Sequence, residues 1–392
     1  MKKIYILISC ILVSLTAFSQ RQTDSLTSSQ RSIIPTSKQE LLKNVDVIFN
    51  MRMANDNKFK DGDFEQSLFN INQFRFEIKG QIHEKVSFRF RDRYTRITEP
   101  GSKDNLSRST DLAFIKVKLS SKSYLSVGKL CTEWGGYEFD LNPIDILEYN
   151  DIIENADNFL TGIGYSIKVT PNHELTTQLL NSRTRNFTDV YTDPAKIPGD
   201  VKEAKAPYAL VGNWRGNFFG GKFQTIYSYS YFVEAKDRAM NYIALGHKYH
   251  DKKLTIMYDI QYSSEDLDRK GIVSNMVSDT YGFYAQKAAY FENWLRTEYL
   301  VTPKVNLLLT LMFSEAHWNQ SNTGFDTGKL STSYGVIPMV EFIPFKDMNL
   351  RFYASYVGRF YRYTNYGKDN FGLDNYNTGR FSVGFIAPLL VL

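Results

Sequence analysis

Three short segments carry their basic residues on one strand parity. Arg75 and Lys79 lie in the first, Arg89, Arg91 and Arg93 in the second, and Lys116 and Lys118 in the third. Cations at a two-residue spacing attract and orient anions, but they break no bond by themselves. Glu77 falls on the same parity and partly offsets them. A second set has the opposite sign. Residues 131–160 hold Glu133, Glu138, Asp140, Asp145, Glu148, Asp151, Glu154 and Asp157, and no Lys or Arg. Covalent chemistry has little to work with. The histidines, His83, His173, His247, His250 and His317, are scattered. His247 and His250 are three apart on a strand and its turn, where they point to different faces. No HExxH, CxxC or Gly-x-Ser-x-Gly pattern occurs. The residues thus point to neither an enzyme nor a metal or cofactor site, and the chemistry on offer is electrostatic.

The elements that must carry these charges read as strands. Val86, Phe88 and Phe90 alternate with Ser87, Arg89 and Arg91. Ala113, Ile115, Val117 and Leu119 alternate with Phe114, Lys116 and Lys118. Leu254, Ile256, Tyr258, Ile260 and Tyr262 form one face, as do Val305, Leu307, Leu309, Leu311 and Phe313. A helix cannot place such residues on one side; a strand does. Short turns are expected at 80–82, 120–123, 170–172, 217–221, 250–252, 302–304 and 344–349. Long loops are expected at 56–67, 98–108, 131–160, 183–205, 264–288, 317–330 and 364–377, with a shorter connection at 234–238. Long and short alternate strictly. The segment 278–290 has strand character but is assigned to a loop, since a strand there would break the alternation. The result is an all-β chain, a transmembrane antiparallel β-barrel of about 16 strands, with both ends on the short-turn side. A secreted β-sandwich is the rival reading, but it has little use for so many strands with one-sided loops.

Composition sets the address. Lys2 and Lys3, the apolar run Ile4–Ala17 and the sequence Ala17-Phe18-Ser19 form a signal peptide over 1–19, with Gln20 first in the mature chain. Leu7-Ile8-Ser9-Cys10 resembles a lipobox, but Cys10 sits inside the apolar run. Residues 20–44 read as a polar periplasmic extension and 45–392 as the barrel. Mean hydropathy is −0.35, and no later apolar run approaches the roughly 20 residues of a membrane helix. The 26 Tyr and 28 Phe instead suit the aromatic girdles of an outer-membrane barrel. Cys131 is left alone in the mature chain, so no intrachain disulfide forms.

A Lys or Arg facing lipid near the bilayer midplane costs about 2–4 kcal/mol, which turns the basic parity toward the lumen. Neighbouring strands lie about 4.8 Å apart, so the three segments would form one basic patch. The acidic segment 131–160 carries many apolar residues, among them Trp134, Leu141, Ile144, Ile146, Ile152 and Ile153. A purely exposed loop has little use for them. The segment is therefore expected to fold into the lumen and set an acidic edge, with Glu133, Glu138, Asp140 and Asp145 foremost, across from the basic patch. Two plainer readings stay open: ion pairing of the patch within the wall, and an extracellular acidic cap.

Three stretches carry a family likeness. These are Phe74-Arg75-Phe76-Glu77-Ile78-Lys79-Gly80, Val86-Ser87-Phe88-Arg89-Phe90, and Leu125-Ser126-Val127-Gly128-Lys129-Leu130 before an aromatic Gly-Gly loop. They resemble the phosphate-selective porin O and P family, and the signal peptide ending Phe18-Ser19-Gln20 looks like those of Bacteroidetes. The likeness is best over about 68–160. It implies a trimeric 16-stranded porin of the bacterial outer membrane, set in outer-membrane lipid and passing small hydrophilic solutes or inorganic anions. The chain ends Val391-Leu392 where the family has an aromatic residue; Phe385 lies a few residues earlier. The acidity of 131–160 also departs from the unopposed Arg and Lys ladder that phosphate would favour. Passive diffusion of small solutes or ions is the first expectation. A phosphate or anion channel, and a plugged or surface-binding barrel, are the alternatives. Nucleic acid is not an expected partner, since the basic residues fall on pore walls and the loops are acidic.

Overall fold

The computed structural model describes residues 44–96 and 103–391. The signal peptide expected at 1–19, the extension expected at 20–44 apart from Asn44, and residues 97–102 lie outside the described residues. The chain forms β1 Val45–Lys60, β2 Asp63–His83, β3 Val86–Arg93, β4 Thr110–Lys118, β5 Ser123–Cys131 and β6 Phe159–Thr170. Then come β7 His173–Asn181, β8 Tyr208–Phe218, β9 Phe223–Ala235, β10 Arg238–His250 and β11 Leu254–Leu267. β12 Gln286–Thr302, β13 Val305–Trp318, β14 Gly328–Phe342, β15 Arg351–Tyr363 and β16 Tyr376–Leu390 complete the set. Each strand pairs antiparallel with its chain neighbours, and β16 returns to β1, with Ile48 opposite Leu390 and Lys60 opposite Thr378. The sheet is therefore a closed barrel of 16 strands. Among the described residues five short α-helices sit in the loops: α1 Tyr137–Asp140, α2 Asp151–Glu154, α3 Phe187–Val190, α4 Ile272–Tyr281 and α5 Asn365–Phe371.

The alternation places side chains as the parity argument requires. On β13, Leu307, Leu309 and Leu311 are exposed on the outer wall, while Leu308 and Met312 are buried inside. All seven expected short turns lie at or within two residues of the strand ends. The segment 278–290 divides: α4 takes its start, and β12 begins at Gln286. The loop expected at 56–67 is absent. β1 and β2 pair as far as Lys60 opposite Asp63, joined by Asp61-Gly62 with φ of 51° and 96°. Asp-Gly at two left-handed positions is the turn whose twist matches a hairpin. That dipeptide was the signal to read, and its polar surroundings masked it.

One lysine of β5 faces outward. Lys129 is opposite Ala113 and Thr161, on the parity of the exposed Val127 and Ile163. Lipid would penalise it. Asp104, from the described part of the β3–β4 connection, lies against this face instead: it meets Lys129 Nζ at 3.0 Å while accepting the Thr161 hydroxyl at 2.8 Å. Both charges are almost fully buried.

Residues 132–158 enter the lumen. Their apolar side chains meet an inner wall that is apolar where the loop lies. Ile144 packs with Ala54, Leu308, Met339, Tyr353 and Ile386. Tyr137 and Ile146 pack with Met257, Trp294, Met312, Ile337 and Val357. Ile152 and Ile153 join Trp134 and Tyr242 in the largest cluster, which α4 and Trp318 cover from the loop side. Burying each such side chain contributes about 1.5–3 kcal/mol. Buried wall carboxylates hold the backbone. Asp259 accepts the Tyr137 and Glu138 N–H groups at 2.9 and 2.7 Å, and Glu292 accepts the Ile152 N–H at 2.7 Å. Gly136 permits this approach, since a Cβ there would lie 2.5 Å from the Asp259 carboxylate.

Asp104→Ala leaves Lys129 buried without its counter-charge and is expected to destabilise the barrel by on the order of 3 kcal/mol. Adding Lys129→Met should restore most of that, read as the midpoint of heat-induced mobility change. A midpoint unmoved by Asp104→Ala refutes the account of Lys129. Gly136→Val should unseat α1 without opening the sheet. Limited proteolysis would then cut within 131–160 while the barrel band survives; a loop as protected as in the unchanged protein contradicts the proposed seat.

Candidate pore constriction

The loop fills the β11–β16 side of the lumen and leaves space on the other. Two voids occupy that space, of roughly 270 and 310 Å³. The first opens toward the short turns, past Pro171, Asn172, Asn217 and Asn349. The second lies on the loop side, beneath Arg96, Glu154 and Asn158. Both are bordered by Arg89, Arg91, Asp140, Leu141, Asn142 and Arg215. These six residues form the partition between them.

Strand parity positions the wall half. Arg89 and Arg91 project inward from β3, beside Glu77 and Arg75 of β2 and Asp111 of β4. Arg89 Nε lies 2.8 Å from Glu77 Oε1, and Arg91 Nη1 lies 3.9 Å from Glu77 Oε2. Asp111 sits 3.4 Å from Arg91 Nε, 3.0 Å from Arg93 Nη2 and 3.6 Å from Arg75 Nε. A bulge between Arg91 and Asp92 sets Asp111 toward this cluster. Four arginines thus share two carboxylates. Arg75 is buried behind the others, at 1% exposure. Lys79 borders the lower void and stands 3.8 Å from Asp46. Lys116 lies over the Tyr124 ring at 4.6 Å, and Lys118 is exposed at the strand end; neither borders either void.

The loop half comes from the end of α1. Arg215 of β8, five strands along the barrel from β3, reaches Glu133 Oε2 and Asp140 Oδ1, both at 2.7 Å, and so ties the loop to that part of the wall. Asp140 and Glu133 border the voids. Glu138 does not: it is buried behind the loop, accepting the Asn150 N–H at 2.6 Å and the Gln261 side-chain amide at 3.1 Å. Burial pushes its carboxyl up to about 8. Asp145 borders the lower void but is paired with Arg351. Asp151 pairs with Arg359 at 2.5 Å, Glu148 with Arg380 at 3.4 Å and Asp157 with Arg269 at 2.8 Å. Arg52 donates to the carbonyls of Ile144 and Ile146, and Arg296 to that of Asp145.

Many loop acids therefore serve as anchors to arginines on distant strands. Those arginines went unread in the sequence, as did Arg215. The parity that revealed Arg89 and Arg91 would have revealed them. In Tyr208–Phe218, Arg215 shares a face with the buried Ala209, Val211 and Asn213, and in β15 Arg351 shares one with Tyr353, Ser355 and Arg359. Among the described residues, no group of three or more His, Cys, Asp or Glu side chains is placed to hold a metal ion.

The outer membrane channel DcaP of Acinetobacter baumannii shares the fold at a TM-score of 0.56 and 10% identity, over 88% of this chain and 98% of that one. OmpF of Salmonella typhi in complex with daunomycin gives 0.53 and 11%, over 88% and 98%. OmpT of Vibrio cholerae without loop L8 gives 0.52 and 12%, over 88% and 98%. Identities this low show the fold alone. No curated protein matches the chain. The sequence profile of phosphate-selective porin O and P matches residues 47–386, the whole barrel but for its last few residues at either end. On that match the chain belongs to the phosphate-selective porin O and P family, and it is a channel of the bacterial outer membrane.

Proposed function

We propose that the channel passes small hydrophilic solutes and ions by passive diffusion, through the gap between Arg89 and Arg91 on the wall and Asp140, Leu141 and Asn142 on the loop. The observation that supports this is the partition: the two voids, one on the turn side and one on the loop side, are bordered in common by those residues and by Arg215. Arg89 and Arg91 on the wall, facing Asp140 with its partner Arg215, set a field across the gap, which orients polar solutes and filters by charge. Family and fold point to a channel rather than an enzyme. An anion-preferring channel is the second reading, favoured by the two carboxylates that four arginines share. The proposed assembly is a homotrimer. Its support is the family likeness, together with the outer edge of β2 from Asp63 to Gln73. β3 ends at Arg93, so that edge has no paired strand among the described residues, and a second copy could cover it.

Single-channel recording in a planar bilayer under a salt gradient tests the reading. Stepwise conductance with a reversal potential near zero is expected, and added phosphate should leave it nearly unchanged. Strong anion selectivity with phosphate block would establish the second reading. Silence from folded protein would overturn both and favour a plugged barrel. Arg89→Gln with Arg91→Gln exposes Glu77 to the gap, and the permeability ratio should move severalfold toward cations. Asp140→Asn should move it toward anions. A ratio that neither change alters would place the selectivity elsewhere.

A further inference from the structure

The short-turn rim carries a repeated pair that the channel reading does not use. Lys85, Lys122, Lys222, Lys304 and Lys346 each stand in a different turn, and Lys252 and Lys253 share another. Only the β6–β7 turn, Pro171-Asn172, has none. All seven lysines are exposed, and none has an ion-pair partner among the described residues. The same turns hold three carboxylates, Glu84, Asp251 and Asp347: the Glu84-Lys85 and Lys346-Asp347 turns are balanced, and the net positive charge lies on the turns of Lys122, Lys222, Lys252-Lys253 and Lys304.

Each of these turns also has a large exposed apolar residue within it or at the end of the strand that leads into it. Ile82 precedes Lys85 by three positions, Leu119 precedes Lys122, and Phe219 precedes Lys222. Tyr249 and Lys252, and Val301 and Lys304, repeat that spacing, and Phe345 adjoins Lys346. Just inside this rim an aromatic band faces outward, in which Trp214 contacts His173, Phe218 and Tyr227. Lys222 lies beside it in sequence, next to Phe223, whose ring is 6.1 Å from that of Phe218.

We infer that the rim is a binding surface for anionic phospholipid headgroups of the periplasmic leaflet. Short turns of such barrels face the periplasm, and their aromatic girdles mark the level of the interface. A lysine lays its methylenes along apolar surface and extends its ammonium to the headgroup phosphates. The apolar partner three residues earlier enters the acyl layer and fixes the depth. Anions bound for the lumen would call for inward lysines and would leave the exposed Ile82, Leu119 and Phe219 unexplained. A soluble periplasmic polyanion would leave them equally unexplained.

The protein contains its own reporter. Trp134, Trp294 and Trp318 are at most 2% exposed, whereas Trp214 stands on the outer wall. Full-length protein is reconstituted in bilayers containing acyl-brominated phosphatidylglycerol or acyl-brominated phosphatidylcholine, and tryptophan quenching gives the relative binding of the two. At low salt the anionic lipid should bind about fivefold more tightly. The preference should decline as salt shortens the screening length. Lys222→Gln should bring the ratio near one, and Lys222→Arg should retain it. Equal quenching by both lipids overturns the inference, as does a preference that Lys222→Gln leaves intact. Binding of soluble polyglutamate without a lipid preference would assign the rim to a soluble partner and equally overturn it.

Discussion

A backbone N–H in hydrocarbon has no water to bond, and the whole architecture answers to that constraint. It forces the strands to pair side by side and the sheet to close, with β16 returning to β1; among the described residues the edge of β2 from Asp63 to Gln73 is left without a strand partner. Closure divides the side chains of each strand between lipid and lumen, so one parity becomes apolar for a solvent reason and not for a packing one. The exceptions are where the interior was built. Lumen-facing Trp294, Met257 and Met312 are apolar because a protein segment, not water, lies against them.

That segment is held by two kinds of contact with different consequences. Apolar packing and buried carboxylates seat α1 and Ile152, which fixes the loop's depth. Arginines from β1, β8, β12, β15 and β16 then fix its path. Breaking a buried pair of this kind leaves a charge without its partner, a far larger penalty than losing a surface pair. The acidic character of the loop is thus mostly structural. Asp140 is the carboxylate that both anchors the loop, through Arg215, and stands at the gap, so position and field are coupled there.

Much of this was legible in the sequence, because a period of two is a solvent pattern that each strand carries by itself. The strand number, the seven short turns, the inward course of residues 131–160 and the inward parity of Arg89 and Arg91 all follow from local residues. Partnerships are not local. Nothing near Asp145 or Asp151 names Arg351 or Arg359, about two hundred residues away. Glu138 and Asp140 are two positions apart in one short helix, yet one is buried against Gln261 and the other borders the gap. Only the helix's orientation separates them, and tertiary packing sets that. The Asp61-Gly62 turn shows a different failure, in which a short, specific signal was hidden by polar surroundings.

The anchors at Arg351, Arg359 and Arg380 lie in the last two strands of the chain. The loop they hold lies in its first half. Until β15 and β16 have joined the sheet, Asp145, Glu148 and Asp151 have no counter-charges and the loop's path is undefined. Contacts this distant in sequence form late, since the chain between them must be ordered first. The aperture is therefore a product of closure itself. A partly assembled sheet, however many strands it has, holds no defined hole.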